Sequence, residues 1–169
     1  YKTMIMIVKN KSEVFLKSKL TRIVSISFFL TFLSSAVFAQ EAWLSTPESI
    51  NQFRAQVERI KPATSQFDPL ITDQAIPLAG REVAIRIYRP KSSGLKPTLI
   101  YVHGACWVAG SLDSHDEISR YLAEKSDVTV IAIDYRLGPE HKYPAAHDDV
   151  YEVTDWLWNH AAELGLDTA

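Results

Sequence analysis

Thr98-Leu99-Ile100-Tyr101-Val102-His103-Gly104-Ala105-Cys106-Trp107 decides the fold. The first five residues are apolar without polar alternation, which predicts a central parallel strand covered on both faces. Small residues at 104–106 follow, where a parallel strand hands the chain to a loop. Val128-Thr129-Val130-Ile131-Ala132-Ile133 repeats the buried-strand pattern and runs into Asp134-Tyr135-Arg136-Leu137-Gly138-Pro139-Glu140. Between the two, Ser114-His115-Asp116-Glu117 has the spacing of a capping box and predicts a helix burying Ile118, Tyr121 and Leu122. A second helix is expected after Pro144, with Val150, Val153 and Leu157 on one face and Gly165 as its C-terminal cap. Strand, helix, strand, helix with buried strands predicts a parallel α/β sheet.

Upstream, Ile71–Ile76 and Glu82–Tyr88 read as a β-hairpin turned by Pro77-Leu78-Ala79-Gly80. Val83, Ile85 and Ile87 alternate with Ala84, Arg86 and Tyr88, the period of a half-covered strand. Residues 41–70 read as helical. Ser45 or Thr46 before Pro47 is the start signal, Ile50, Phe53, Val57 and Ile60 form one apolar face, and Pro62 is the expected stop.

The two loop motifs together resemble the hormone-sensitive-lipase-like branch of the α/β-hydrolases, whose patterns read H-G-G-G-[WF] and D-Y-R-L-A-P-E. The resemblance covers residues 71–169, with weaker support from 41–70. It implies an α/β-hydrolase fold, here the N-terminal half: a β-hairpin, then parallel βαβα, with N-terminal cap helices. It also implies a serine esterase acting on a small-molecule ester, short-chain acyl esters above all. Gly104, Ala105 and Cys106 would form the oxyanion loop, with the N–H groups of Ala105 and Cys106 as donors. Trp107 and Val108 would line the pocket. His103, Asp134, Tyr135, Arg136 and Glu140 would support the two loops. The nucleophile elbow G-x-S-x-G occurs nowhere in these residues, so serine, acid and base are expected beyond Ala169. A binding protein that uses the same pocket without hydrolysis is the alternative.

Ala105 and Cys106 depart from the family's glycines. Glycine reaches positive φ freely, whereas Ala or Cys does so at a cost of roughly 1 kcal/mol or more. The expectation is therefore negative φ at both positions. His103 and Cys106 share one loop with no Asn or Asp behind them, so no Cys–His catalytic pair is assigned.

From Lys2 to Arg22 there are six basic residues and one acid, followed by an apolar core, Ile23–Leu33, then Ser34, Ser35 and Ala36. That is the layout of a secretory signal peptide, with cleavage between Ala39 and Gln40 and a periplasmic or secreted product. The domain reading is thus 1–39 signal peptide, 40–70 cap-like helical segment, and 71–169 the N-terminal part of the hydrolase domain. Without residues 1–39 the formal charge moves from −2 to −7. Nucleic acid and anionic membrane surfaces attract basic patches, so neither is expected as a partner. One cysteine permits neither an internal disulfide nor a cysteine zinc cluster. No cofactor or metal is assigned, His147, Asp148 and Asp149 included.

Overall fold

The computed structural model describes residues 44–60 and 64–167. Contacts divide the chain into Tyr1–Ser49 and Ile50–Ala169. In the first unit, the Ser49 N–H donates to Thr46 Oγ1 (3.2 Å) and the Thr46 N–H to Ser49 Oγ (3.3 Å). This reciprocal pairing starts helix α1, Pro47–Glu58, with proline in the first turn as expected. Ile50 and Val57 are buried, while Ile60 lies beyond the helix and is exposed. The helix covers only part of the expected 41–70 span, since residues 64–69 hold none. Pro62 and the signal-peptide segment lie outside the described residues.

The second unit is built on a four-stranded sheet of order β1-β2-β4-β3. β1 (Leu70–Leu78) and β2 (Arg81–Arg89) form the expected hairpin, and β2 also pairs antiparallel with β4 (Thr129–Ile133). β3 (Thr98–Val102) pairs parallel with β4, the crossover running through α2 (Asp116–Ser126). The hairpin turn is tighter than expected. Leu78 pairs with Arg81, so only Ala79-Gly80 turns, with Gly80 at φ 75°. Pro77 is tolerated in the ladder because β1 is an outer strand among the described residues.

α3 (Ala145–Asn159) packs Val153 and Leu157 against one sheet face, with Ile76, Val83, Ile85, Ile87, Ile131 and Ile133. α2 lays Ala123 on the other face, against Tyr88, Val130 and Ala132. All five residues of β4 are buried, as a strand covered on both sides should be. Each Ile or Val so buried contributes about 1.5–3 kcal/mol before entropy is counted. The period-2 reading of β2 fails at Tyr88, which is buried on the α2 face and donates its hydroxyl to Asp116 Oδ1 (2.9 Å).

Four further expectations are corrected. β3 is only partly covered and Val102 is exposed, because β3 ends the strand order and has one paired neighbour among the described residues. The capping box at Ser114 does not form. His115 is the N-cap without a side-chain bond, and Ser114 Oγ instead accepts the Ser111 N–H (2.8 Å). α2 buries Ser119 and Ala123, not Ile118 and Tyr121, so small residues give the close approach to the sheet. Gly165, at φ 60°, caps the short helix α4 (Ala161–Leu164) and not α3, which ends at His160.

Candidate functional site

Parallel strands β3 and β4 end side by side, Val102 opposite Ile133, and both motif loops leave from that edge. In the first loop, Ala105 has φ 88°, Cys106 φ 59° and Trp107 φ 57°. The expectation of negative φ is overturned at both glycine-replacing positions. Three successive L-residues in the left-handed region cost roughly 1–2 kcal/mol apiece, so contacts elsewhere must hold them. The resulting turn is closed by the Val108 and Ala109 N–H groups, which donate to the Ala105 carbonyl (3.3 and 3.2 Å). No hydrogen bond among the described residues uses the N–H of Ala105 or Cys106. Cys106 is exposed and its thiol is free.

His103 anchors the start of the turn. It is 5% exposed, and its ring stacks on Tyr135 with centroids 4.3 Å apart. The Tyr135 hydroxyl donates to the His103 carbonyl (2.7 Å), tying the second loop to the first. Burial lowers the pKa of His103, so its neutral form is favoured. Burial first, then the Asp134 charge, pushes the Tyr135 phenol up to about 12, which keeps it a donor. Gly110 closes the turn at φ 98°, and a Cβ there would stand 2.3 Å from His103 Nδ1. Glycine is required at that position twice over, by backbone and by space.

The second loop is held from beneath. Asp149, fully buried on α3, accepts from the Arg136 N–H (2.9 Å), Arg136 Nη2 (2.8 Å) and Arg81 Nε (2.8 Å). Burial pushes the Asp149 carboxyl up, but the Arg136 and Arg81 bonds outweigh it and hold it below the usual range. Glu140 turns instead to Arg54 of α1, with Nη1 2.9 Å from Oε1 and Nη2 2.6 Å from Oε2. That pairing holds the Glu140 carboxyl down at about 2. Arg136 and Glu140 thus each support the loop, through partners the sequence did not reveal. Asp134 is exposed, and its N–H donates to the Ala84 carbonyl (2.9 Å).

Arg54 does more than pair with Glu140. Its Nε donates to the Val108 carbonyl (2.7 Å) and its Nη2 to the Gly138 carbonyl (2.9 Å). The Gly138 N–H donates in turn to the Trp107 carbonyl (2.8 Å), binding the two loops directly. Only the apolar stripe of α1 could be read from sequence. An arginine on the polar side of a helix carries no signal of what it will grip.

Trp107 and Val108 line an apolar cleft of about 450 Å³ with Gly138, Pro139, Tyr143, Ala146 and His147. The His147 ring lies between Trp107 (6.1 Å, stacked) and Tyr143 (5.1 Å, edge-on). A larger concavity, about 880 Å³, lies on the α2 face, where Arg86 pairs with Asp73 and Asp113. It touches neither motif, and most of its lining is charged. Among the described residues no three His, Cys, Asp or Glu side chains gather as a metal site would need. No described helix is long and apolar enough to cross a membrane.

Residues 99–169 match a family model described as alpha/beta hydrolase fold. The carboxylic ester hydrolase LipN of Mycobacterium tuberculosis is 36% identical over 136 residues, covering 79% of this chain and 36% of that protein. An arylesterase of Saccharolobus solfataricus is 35% identical over 124 residues, covering 72% and 40%. Among solved structures, the thermophilic carboxylesterase EstE1 from a metagenomic library superposes with a TM-score of 0.65 at 36% identity. It covers 73% of this chain and 42% of that one. The chain therefore spans about two fifths of the length of these relatives.

Proposed function

We propose that this chain, whose residues 99–169 belong to the α/β-hydrolase fold family, is part of a serine hydrolase that cleaves carboxylic esters. Acyl transfer passes through a tetrahedral oxyanion, and donors aimed at that charge are usually the largest catalytic term. In this reading the N–H groups of Ala105 and Cys106, which nothing in the described chain occupies, receive the developing negative charge. Gly104 lies in open space, where a Cβ would meet nothing within 4 Å, and Trp107 and Val108 wall the adjoining cleft. Nucleophile, base and acid would come from sequence outside these residues. The unoccupied pair of N–H groups at the end of a parallel strand is the observation that carries the reading.

Positive φ at Ala105 and Cys106 fits this role. A turn that swings successive N–H groups toward one side can present both to a single oxygen, as in the anion-binding concavities formed by successive amides. The short-chain preference rests on relatives named ethyl acetate hydrolase, 41% identical over 91 residues, and acetyl esterase, 39% over 92. The test is turnover of p-nitrophenyl acetate, butyrate and laurate by the full-length protein, with labelling by a fluorophosphonate. Hydrolysis falling with chain length, together with labelling, supports the reading; neither turnover nor labelling overturns it in favour of a binding protein. Export is part of the proposal. N-terminal sequencing of secreted or periplasmic material should begin at Gln40, and a start at Met4 or Met6 would contradict that.

A further inference from the structure

We propose that Arg54 is the positioning residue that keeps the Ala105–Trp107 turn in its left-handed conformation, and so couples helix α1 to oxyanion binding. The inference rests on the esterase reading for its catalytic consequence, but its structural half stands separately. The turn carries three residues at positive φ, none of them glycine, and relaxation toward negative φ would rotate the Ala105 and Cys106 N–H groups away from a common point. What resists that relaxation lies at both ends of the turn. At the leading end, Tyr135 holds the His103 carbonyl. At the trailing end, Arg54 Nε holds the Val108 carbonyl at 2.7 Å.

Arg54 suits this work because one planar guanidinium makes several contacts in fixed directions. Nε takes Val108 of the first loop, Nη2 takes Gly138 of the second, and the outer edge takes both oxygens of Glu140. The Glu140 carboxylate thus fixes the rotation of the guanidinium, and the guanidinium fixes both loops at once. One turn further along α1, Glu58 accepts from Ser111 Oγ (2.9 Å), so the helix grips the same loop again just past Gly110. Displacement of α1 would release the turn at two points. In this way the segment before the sheet governs the shape of a loop that its own residues do not enter.

The variants are Arg54→Gln, Arg54→Lys and Glu140→Gln in the full-length protein, each compared with wild type in two measurements. The first is amide hydrogen exchange of peptides spanning 103–110 and 128–137. Arg54→Gln should raise uptake in 103–110 at unchanged uptake in 128–133. Arg54→Lys should behave like Arg54→Gln, because one ammonium cannot reproduce the fork, and Glu140→Gln should fall between. The second is steady-state hydrolysis of p-nitrophenyl acetate. Arg54→Gln should lower kcat about tenfold or more at nearly constant KM, the signature of an interaction made in the transition state. Inhibition by a trifluoromethyl ketone, which forms a tetrahedral oxyanion adduct, should weaken by a similar factor.

Unchanged exchange in 103–110 overturns the proposal, whether or not the protein hydrolyses esters. So does exchange that rises throughout the sheet, which would make Arg54 a general stability residue. Looser exchange with kcat untouched overturns the coupling to oxyanion binding. If wild type neither turns over nor is labelled by a fluorophosphonate, the esterase reading fails by itself. The exchange arm then still decides whether Arg54 holds the turn.

Discussion

The loop after β3 and the loop after β4 leave adjacent strand ends, yet one is bent through left-handed residues and the other is bolted down by a buried carboxylate. In the first, the exposed side chains of Cys106 and Trp107 sit on a strained backbone, and the N–H groups of Ala105 and Cys106 stay open. In the second, Arg136 sends its N–H and guanidinium into Asp149, and Arg81 joins them from the hairpin. The contrast separates the two jobs of a site. In the proposed reading, strain and open donors belong to the part that meets a ligand, and buried ion pairs to the part that keeps it in place.

If the second loop is the anchor, its keystone should give the largest stability loss. Asp149→Ala leaves two guanidiniums without their buried partner and should cost about 3–5 kcal/mol in chemical denaturation. Glu140→Gln, on an exposed carboxylate, should cost far less; comparable losses would erase the distinction between anchor and rim. The Asp149 carboxyl is held below its ordinary value, so its contribution is present above about pH 4 and is lost as pH falls through the native value. Asp149→Ala should therefore flatten the acid limb of a stability–pH profile.

Gly110→Ala comes next. It sets a Cβ against His103 and forces an L-residue to φ 98°, which should cost about 3 kcal/mol in thermal or chemical denaturation. A loss under 1 kcal/mol would mean that the His103 ring moves aside easily. In the opposite direction, Ala105→Gly and Cys106→Gly should relieve the turn and raise stability by about 1 kcal/mol each, less the entropy glycine loses on folding. Destabilisation by either would show that the strain is not there.

The smallest effect concerns His103. Burial lowers its folded pKa below the unperturbed value near 6.5, so the unfolded chain binds the proton more readily. Stability from the neutral ring is thus full above about pH 6.5 and declines as pH falls below it. His115, lowered first by burial and then by His103, adds to the same window. His103→Asn should weaken the slope between pH 6.5 and 5, measured by urea denaturation; an unchanged slope would place the slope outside His103.

The strands were legible because their signal is local: β4 is an unbroken apolar run, and it is buried throughout. β3 carries the same kind of run but lies at the end of the described strand order, which no property of Thr98–Val102 could disclose. Both motifs leave adjacent strand ends, and the Tyr135 hydroxyl donates to the His103 carbonyl between them. The backbone sign at Ala105 and Cys106 was missed because residue preference argues for negative φ, and the tertiary contacts that override it are non-local. Arg54 reaches Glu140 across 86 positions and Arg81 reaches Asp149 across 68. Pairings at such separations follow from the fold and have no trace in spacing. Similarly, Ser119 and Ala123 face the sheet because α2 sits close, a depth that the apolar pattern of Ile118 and Tyr121 contradicted.

The central claim is that the turn after β3 offers two backbone donors to an oxyanion. Amide proton shifts of Ala105 and Cys106 in the full-length protein, recorded before and after covalent reaction with a phosphonate ester, test it most directly. The account predicts that both resonances move downfield as the phosphonyl oxygen accepts their hydrogen bonds, while amides of β4 hold their positions. Complete phosphonylation with the Ala105 and Cys106 resonances unmoved would contradict it.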